Sequence, residues 1–157
     1  LKYGLNNFVK KSSLSGVDGI IIPDLPIEES DQIRIICNKY DIHLIPLIAP
    51  TSTPERINKI CKKANGFIYC ISVKGVTGAR KNLDYENLKL FVNQIREKTN
   101  LPILIGFGIS TSSQVKQIGE FADGVIVGSS LLNSMMKCEE DQVVDKALEF
   151  MRSLKTK

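Results

Sequence analysis

Residues 101–130, LPILIGFGISTSSQVKQIGEFADGVIVGSS, hold two short apolar runs with a helix-forming segment between them. The first run, Pro102 to Gly106, is rich in Ile and Leu and stops at Gly106-Phe107-Gly108. Thr111 with Gln114 three residues on makes a capping box that opens a helix. Gly124-Val125-Ile126-Val127 is a second β-branched run, and it ends in Gly128-Ser129-Ser130. Apolar run, turn, capped helix and apolar run in that order form a βαβ unit on a parallel sheet.

The same pattern repeats along the chain in both directions. Strands are expected over 17–23, 43–48, 67–73, 102–106 and 124–127, and their near-continuous apolar character predicts burial on both faces. Between them run helical stripes: Ile33, Ile36, Cys37, Tyr40; then Ile57, Ile60, Cys61, Ala64; then Leu88, Phe91, Val92, Ile95. Thr53-Pro54-Glu55 supplies an N-cap, a first-turn proline and an early acid. A first helix is expected over 3–15, and a last one over 139–154 with Val144, Ala147, Leu148 and Met151 in register. No Gly/Ser/Pro-rich linker divides the chain, so residues 1–157 read as a single domain. Five such units suit either an open doubly wound sheet or the C-terminal portion of an eight-stranded barrel, which needs about 250 residues. Length fits the first; glycines at the strand ends fit the second.

Composition narrows the function classes. With 157 residues, 43% of them hydrophobic, the chain can bury a core. Its 21 Lys+Arg against 17 Asp+Glu are dispersed, with basic pairs at Lys10-Lys11, Lys62-Lys63 and Arg80-Lys81, so no nucleic-acid footprint is drawn. Apolar runs such as Ile20-Ile21-Ile22-Pro23 are far short of the ~20 residues of a membrane span. Cys37, Cys61, Cys70 and Cys138 form no Cys-x-x-Cys pair and have no histidine cluster beside them, so they read as reduced core thiols and no metal is expected. The start, Leu1-Lys2-Tyr3-Gly4, has neither Met nor leader and is expected to lie inside a longer chain.

In either architecture ligands bind beyond the carboxyl ends of the strands. Three of those ends carry glycines: Lys74-Gly75-Val76-Thr77-Gly78-Ala79-Arg80, Gly106-Phe107-Gly108-Ile109-Ser110, and Gly128-Ser129-Ser130. Phosphate needs several backbone N–H groups converging with no side chain in the way, best at a helix start. Asp24, fixed between Pro23 and Pro26 at the first strand end, is placed either for a polar role in a site or as a turn acid. Ile21, Tyr69 and Ile126 approach the same mouth, as pocket lining or as core. His43 stands at a strand start, the opposite end, and reads as structural. Lys74 is a solvated loop lysine or, in a rival reading, the Schiff-base residue of an aldolase.

These motifs resemble the tryptophan synthase alpha subunit family. The resemblance is carried by Pro-Asp-Leu-Pro at 23–26, Ala-Pro-Thr-Ser-Thr at 49–53, Gly-Phe-Ile-Tyr at 66–69, Ser-Val-Lys-Gly-Val-Thr-Gly-Ala-Arg at 72–80, Gly-Phe-Gly-Ile-Ser at 106–110 and Ala-Asp-Gly-Val-Ile-Val-Gly-Ser at 122–129. It implies a (β/α)₈ TIM barrel whose fourth to eighth strands, with their helices, are the five read here. It also implies retro-aldol cleavage of indole-3-glycerol phosphate to indole and glyceraldehyde 3-phosphate, a late step of tryptophan biosynthesis. Indole would pass to a beta subunit in an alpha2-beta2 tetramer; PLP belongs to that partner, and no cofactor is implied for this chain. By position, Gly78, Gly108, Gly128 and Ser129 would hold the phosphate and Thr77 would close a lid by hydrogen bonding to a catalytic aspartate. Ile21, Tyr69 and Ile126 would line the pocket with Asp24 at its mouth. The family's essential glutamate ends the second strand and its aspartate lies in the next loop, and neither segment has a counterpart here. Residues 1–157 are therefore expected to be inactive alone. Other phosphate-binding barrel aldolases, or a half-barrel that binds phosphate without turnover, are the alternatives. Richness in Ile, Lys and Asn points to an AT-rich genome, leaving a plastid (chloroplast stroma) or a bacterial cytoplasm as the compartment.

Overall fold

A computed structural model of the chain describes residues 2–72, 84–106, 108–136 and 138–155. Helix α1 (Leu5–Leu14) leads into strand β1 (Gly19–Ile21), and a 3₁₀ turn (Ile27–Glu29) precedes α2 (Asp31–Lys39). Then follow β2 (His43–Ile45), β3 (Leu47–Ile48), α3 (Pro54–Lys63), β4 (Ile68–Ile71) and α4 (Tyr85–Arg96). The rest is β5 (Ile103–Gly106), α5 (Ser112–Ile118), β6 (Gly124–Val125), α6 (Ser129–Met135), a 3₁₀ turn (Glu140–Gln142) and α7 (Val143–Leu154).

The local signals fall where they were read. Thr53 caps α3, its side chain accepting from the N–H of Arg56, with Pro54 in the first turn. Thr111 and Gln114 form the full capping box of α5. The strands are shorter than their apolar runs, and the run over 43–48 is cut in two. Pro46 has no N–H to give and interrupts the ladder, and among the described residues β2 pairs with β1 and β3 with β4. Its carbonyl still serves the ladder, accepting from Tyr69 N–H at 3.0 Å.

All pairings among the described residues are parallel and join strands that follow one another in the chain, β1 with β2 and then β3 to β6 in order, with β2 and β3 as two halves of one broken run that do not pair with each other. A doubly wound sheet reverses its strand order at a switch point; the described strands show no reversal and progress in one direction, as in a barrel. Right-handed crossovers then put the connecting helices α2 to α5 on one face. Leu44, Ile48, Ile68, Cys70, Ile103 and Ile105 point to that face and are buried. They meet the predicted stripes, with Ile57, Ile60, Cys61, Leu88, Phe91, Val92 and Ile95 in one cluster and Val9, Ile33 and Cys37 in another.

Two expectations are corrected. Burial on both strand faces holds for β2, where Leu44 and Ile45 are both buried, but fails along β4, where Ile68 and Cys70 are buried and Tyr69 and Ile71 only half-buried. Over β4 the concave face carries no full covering layer among the described residues, whereas in a closed barrel the opposite strands would supply one. The last helix forms, but its stripe does not pack. Val144 is 70% exposed, Leu148 and Met151 are exposed too, and the buried residue of α7 is Leu154. Periodicity specifies a helix and an apolar stripe, not the neighbour that covers it.

The amino end of β5 is clamped by a carboxylate. Asp123, just before β6, accepts from the N–H of Ile103 at 2.7 Å and pairs with Arg96 of α4, whose guanidinium also donates to Leu101 O at 3.2 Å. The Ile103 N–H, and after it Arg96, hold the Asp123 carboxyl below the usual range. Because the folded value lies below the unfolded one of about 3.9, this stabilisation is complete above that pH and is lost as pH falls through the folded value. Asp123→Asn should thus lower the urea midpoint at pH 7, with the gap to the parent narrowing as pH falls below the unfolded value of about 3.9. A constant gap across that range would refute the clamp.

Candidate active site

Parallel strands bring all their carboxyl ends to one rim. At the first, Pro23 and Asp24 are the central residues of a turn closed by Leu25 N–H to Ile22 O at 3.2 Å, which leaves the Asp24 side chain exposed. Asp24 lines a cleft of about 240 Å³ together with Leu25, Pro46, Arg34 of α2 and Arg56 of α3.

Ile21, Tyr69 and Ile126 share the concave face. Register fixes this: Ile21 pairs with Ile45, Leu47 with Tyr69, Tyr69 with Leu104 and Leu104 with Gly124, and Ile126 lies two residues on from Gly124. Ile21 is 42% exposed, while Tyr69 and Ile126 are half-buried. The Tyr69 ring reaches over Gly106 of the neighbouring strand, two residues beyond Leu104, its register partner. A Cβ built on Gly106 would stand 2.1 Å from Tyr69 Oη and 2.5 Å from Cζ, so a side chain there and this ring position exclude one another. Burial pushes the Tyr69 phenol up from its ordinary value, which keeps it neutral at working pH. In the sequence Gly106 stands only among the glycines at the strand ends. Its contact with a residue 37 positions earlier in the chain leaves no local signal.

The last two strand ends are joined. Gly108 sits at φ +84°, a conformation that side-chain-bearing residues avoid. Ile109 O accepts from Ser130 Oγ at 3.0 Å, tying this loop to the first turn of α6. Gln114 Oε1 accepts from Ser110 N–H at 2.8 Å, Thr111 N–H at 3.1 Å and Ser110 Oγ at 3.3 Å. Helix α6 begins without a side-chain cap; Gly128 O takes the N–H of Leu132 at 3.1 Å, and Gly128 and Ser129 are exposed. Nothing lies within 4 Å of where a Gly128 Cβ would be. The first-turn N–H groups of α6 thus have no intrahelical acceptor, with open space at Gly128, an arrangement suited to an anion. Ser130 was not singled out in the sequence, and Gln114 was read only as a cap.

Thr77, Gly78 and Lys74 lie outside the described residues. His43 is exposed at the start of β2, at the end away from the rim. All four cysteines are free; Cys37, Cys61 and Cys70 are buried, with the Cys70 thiol pushed up to about 12 by burial, while Cys138 is only half-buried. Among the described residues no group of three or more His, Cys, Asp and Glu side chains could hold a metal ion. Among them, too, no helix is long and apolar enough to cross a membrane.

Strands pairing in chain order, helices on one face and glycine-bearing loops at the carboxyl rim define part of a (β/α)₈ barrel with an anion-suited end. The sequence profile of the tryptophan synthase alpha chain matches residues 1–157, and the chain belongs to that family. It is 41% identical over 155 residues to the tryptophan synthase alpha chain of Roseiflexus sp. strain RS-1, covering 99% of this chain and 59% of that one. It is 44% identical to the Thermoanaerobacter sp. strain X514 alpha chain, covering 98% and 58%. Among solved structures, tryptophan synthase subunit alpha from Campylobacter jejuni superposes with a TM-score of 0.85 at 39% identity, over 98% of this chain and 60% of that one. A structure of the tryptophan synthase a2b2 complex of Pyrococcus furiosus superposes at 0.86 with 28% identity, over 98% and 61%. The chain therefore spans about 59% of the length of the curated relatives it matches.

Gly106→Ala should displace Tyr69, changing the near-ultraviolet tyrosine signal and costing about 1–3 kcal/mol. Gly124→Ala is the control, because its Cβ would meet only the tip of Leu104 at 3.0 Å. Equal costs for the two variants would show that the Tyr69 contact is not what demands glycine.

Proposed function

We propose that residues 1–157 are the C-terminal, phosphate-binding portion of a tryptophan synthase alpha subunit, whose complete form cleaves indole-3-glycerol phosphate to indole and glyceraldehyde 3-phosphate as a lyase. The observation that carries this reading is the joined rim: the Gly108 loop, bonded through Ile109 O to Ser130, beside the uncapped start of α6. Phosphate is the substrate's doubly charged end, and backbone N–H groups at a helix start are its natural donors. Gly108, Gly128 and Ser129 hold it in this proposal, with Gly78 supplied from outside the described residues. Ile21, Tyr69 and Ile126, which share the concave face, line the pocket for the apolar indole, and neutral Tyr69 adds bulk without charge. Asp24 stands exposed at the rim, in the cleft it lines with Arg34 and Arg56, which suits a mouth residue.

Retro-aldol cleavage requires an acid that protonates indole C3 and a base that removes the glycerol hydroxyl proton. Those carboxylates belong to the family segments that residues 1–157 do not match, so the catalytic pair is assigned to the remainder of the barrel. Thr77 keeps the lid-closing role that the resemblance gives it. The chain needs no cofactor of its own here, and its partner is the PLP-bearing beta subunit; the a2b2 assembly of the Pyrococcus furiosus neighbour supports that pairing. The curated relatives named above are bacterial and lend a plastid no support; a bacterial-type cytoplasm is the compartment we assign.

Indole formation from indole-3-glycerol phosphate by residues 1–157 alone should be near background, and a protein with the first three βα units supplied should turn over. Comparable rates would place the catalytic groups within residues 1–157. In the longer protein, Gly128→Val should weaken glycerol 3-phosphate binding with the melting temperature preserved, because the new side chain enters open space. Gly108→Val should lose binding and stability together, owing to its positive φ. Unchanged affinity in both would end the phosphate assignment. Thr77→Val should cut turnover with the fold intact, and turnover within twofold of the parent would remove its lid role.

A further inference from the structure

We propose that Gln114 is a positioning residue for the phosphate end of the substrate, acting through the loop after β5 and the first turn of α6. The proposal rests on the phosphate-site reading above. Gln114 is only 9% exposed, on a helix whose other buried residue is Ile118. A buried amide is costly unless its hydrogen bonds are made, and capping α5 requires only one of them. Gln114 Oε1 instead collects three donors, the N–H groups of Ser110 and Thr111 and the Ser110 hydroxyl.

Ser110 follows Ile109, and Ile109 O takes the hydroxyl of Ser130. A continuous run of hydrogen bonds and backbone therefore leads from Gln114 through Ser110 and Ile109 to the start of α6. On one side of that run lies Gly108 at its positive φ; on the other lie Gly128 and Ser129. Backbone donors grip an anion only when their directions converge, because a hydrogen bond weakens steeply off axis. Gln114 sets that convergence in advance without touching the ligand.

The test uses the full-length protein that carries this chain, with glycerol 3-phosphate and indole as separate probes in titration calorimetry. Gln114→Leu keeps the volume and removes the acceptor. It should weaken glycerol 3-phosphate about tenfold and raise KM for indole-3-glycerol phosphate to match, with indole affinity within about twofold and kcat within about threefold of the parent. Ser130→Ala breaks the second link and should shift glycerol 3-phosphate binding the same way by about threefold. Unchanged glycerol 3-phosphate affinity in Gln114→Leu, or equal losses for both probes, would overturn the proposal. Should Gln114→Leu fail to fold, Ser130→Ala decides, parental affinity counting against the proposal. A parent that does not bind glycerol 3-phosphate would sink the phosphate-site reading itself, whereas a binding parent with unaffected variants removes only the role of Gln114.

Discussion

A dry layer of side chains between sheet and helices orders everything else in this chain. Ile48, Ile68, Cys70, Ile103 and Ile105 are fully buried, and each alternates along its strand with a residue on the concave face. Burying an isoleucine of this kind contributes about 1.5–3 kcal/mol. A one-residue slip in any strand would carry its whole apolar set out of the layer. The register is thereby held, and with it the identity of the residues left facing inward. Tyr69 faces the concave side because Ile68 and Cys70 cannot leave the helix side.

Strand β5 shows how this apolar constraint is finished by polar groups. It is flanked by β4 and β6, and its two ends are met by side-chain acceptors from later in the chain. Asp123 receives the N–H of Ile103 where the strand begins, and Gln114 receives the N–H of Ser110 just past its end. The first lies at the stability end of the barrel units and the second at the ligand rim. The same device, an oxygen returning to a strand's backbone, anchors the fold at one end and shapes a loop at the other.

Much of this was legible in the residues because the signals are local. The Thr111 and Gln114 box, the Thr53 cap with Pro54, and the stripes of α3 and α4 all concern groups within a few positions of one another. The shared face of Ile21, Tyr69 and Ile126 followed from alternation once the strands were placed. What escaped the sequence depends on distant partners. Nothing near Gly106 announces the ring of Tyr69, nothing near Ser130 announces Ile109 O, and the stripe of α7 could not reveal that it would stay uncovered. Pro46 was visible, but its effect appears only when one asks which neighbour each half of the strand must pair with.

Apart from Gly78, the proposed anion end is assembled within residues 108–132: one loop, one capped helix, one short strand and the first turn of another helix. Closing so short a stretch costs little chain entropy compared with bringing the two ends of a barrel together. Contacts of this local kind form early, while pairings between distant strands come late. The proposed ligand end is thus held mostly by contacts close together in sequence, whereas the closure that brings in the rest of the barrel is a long-range event.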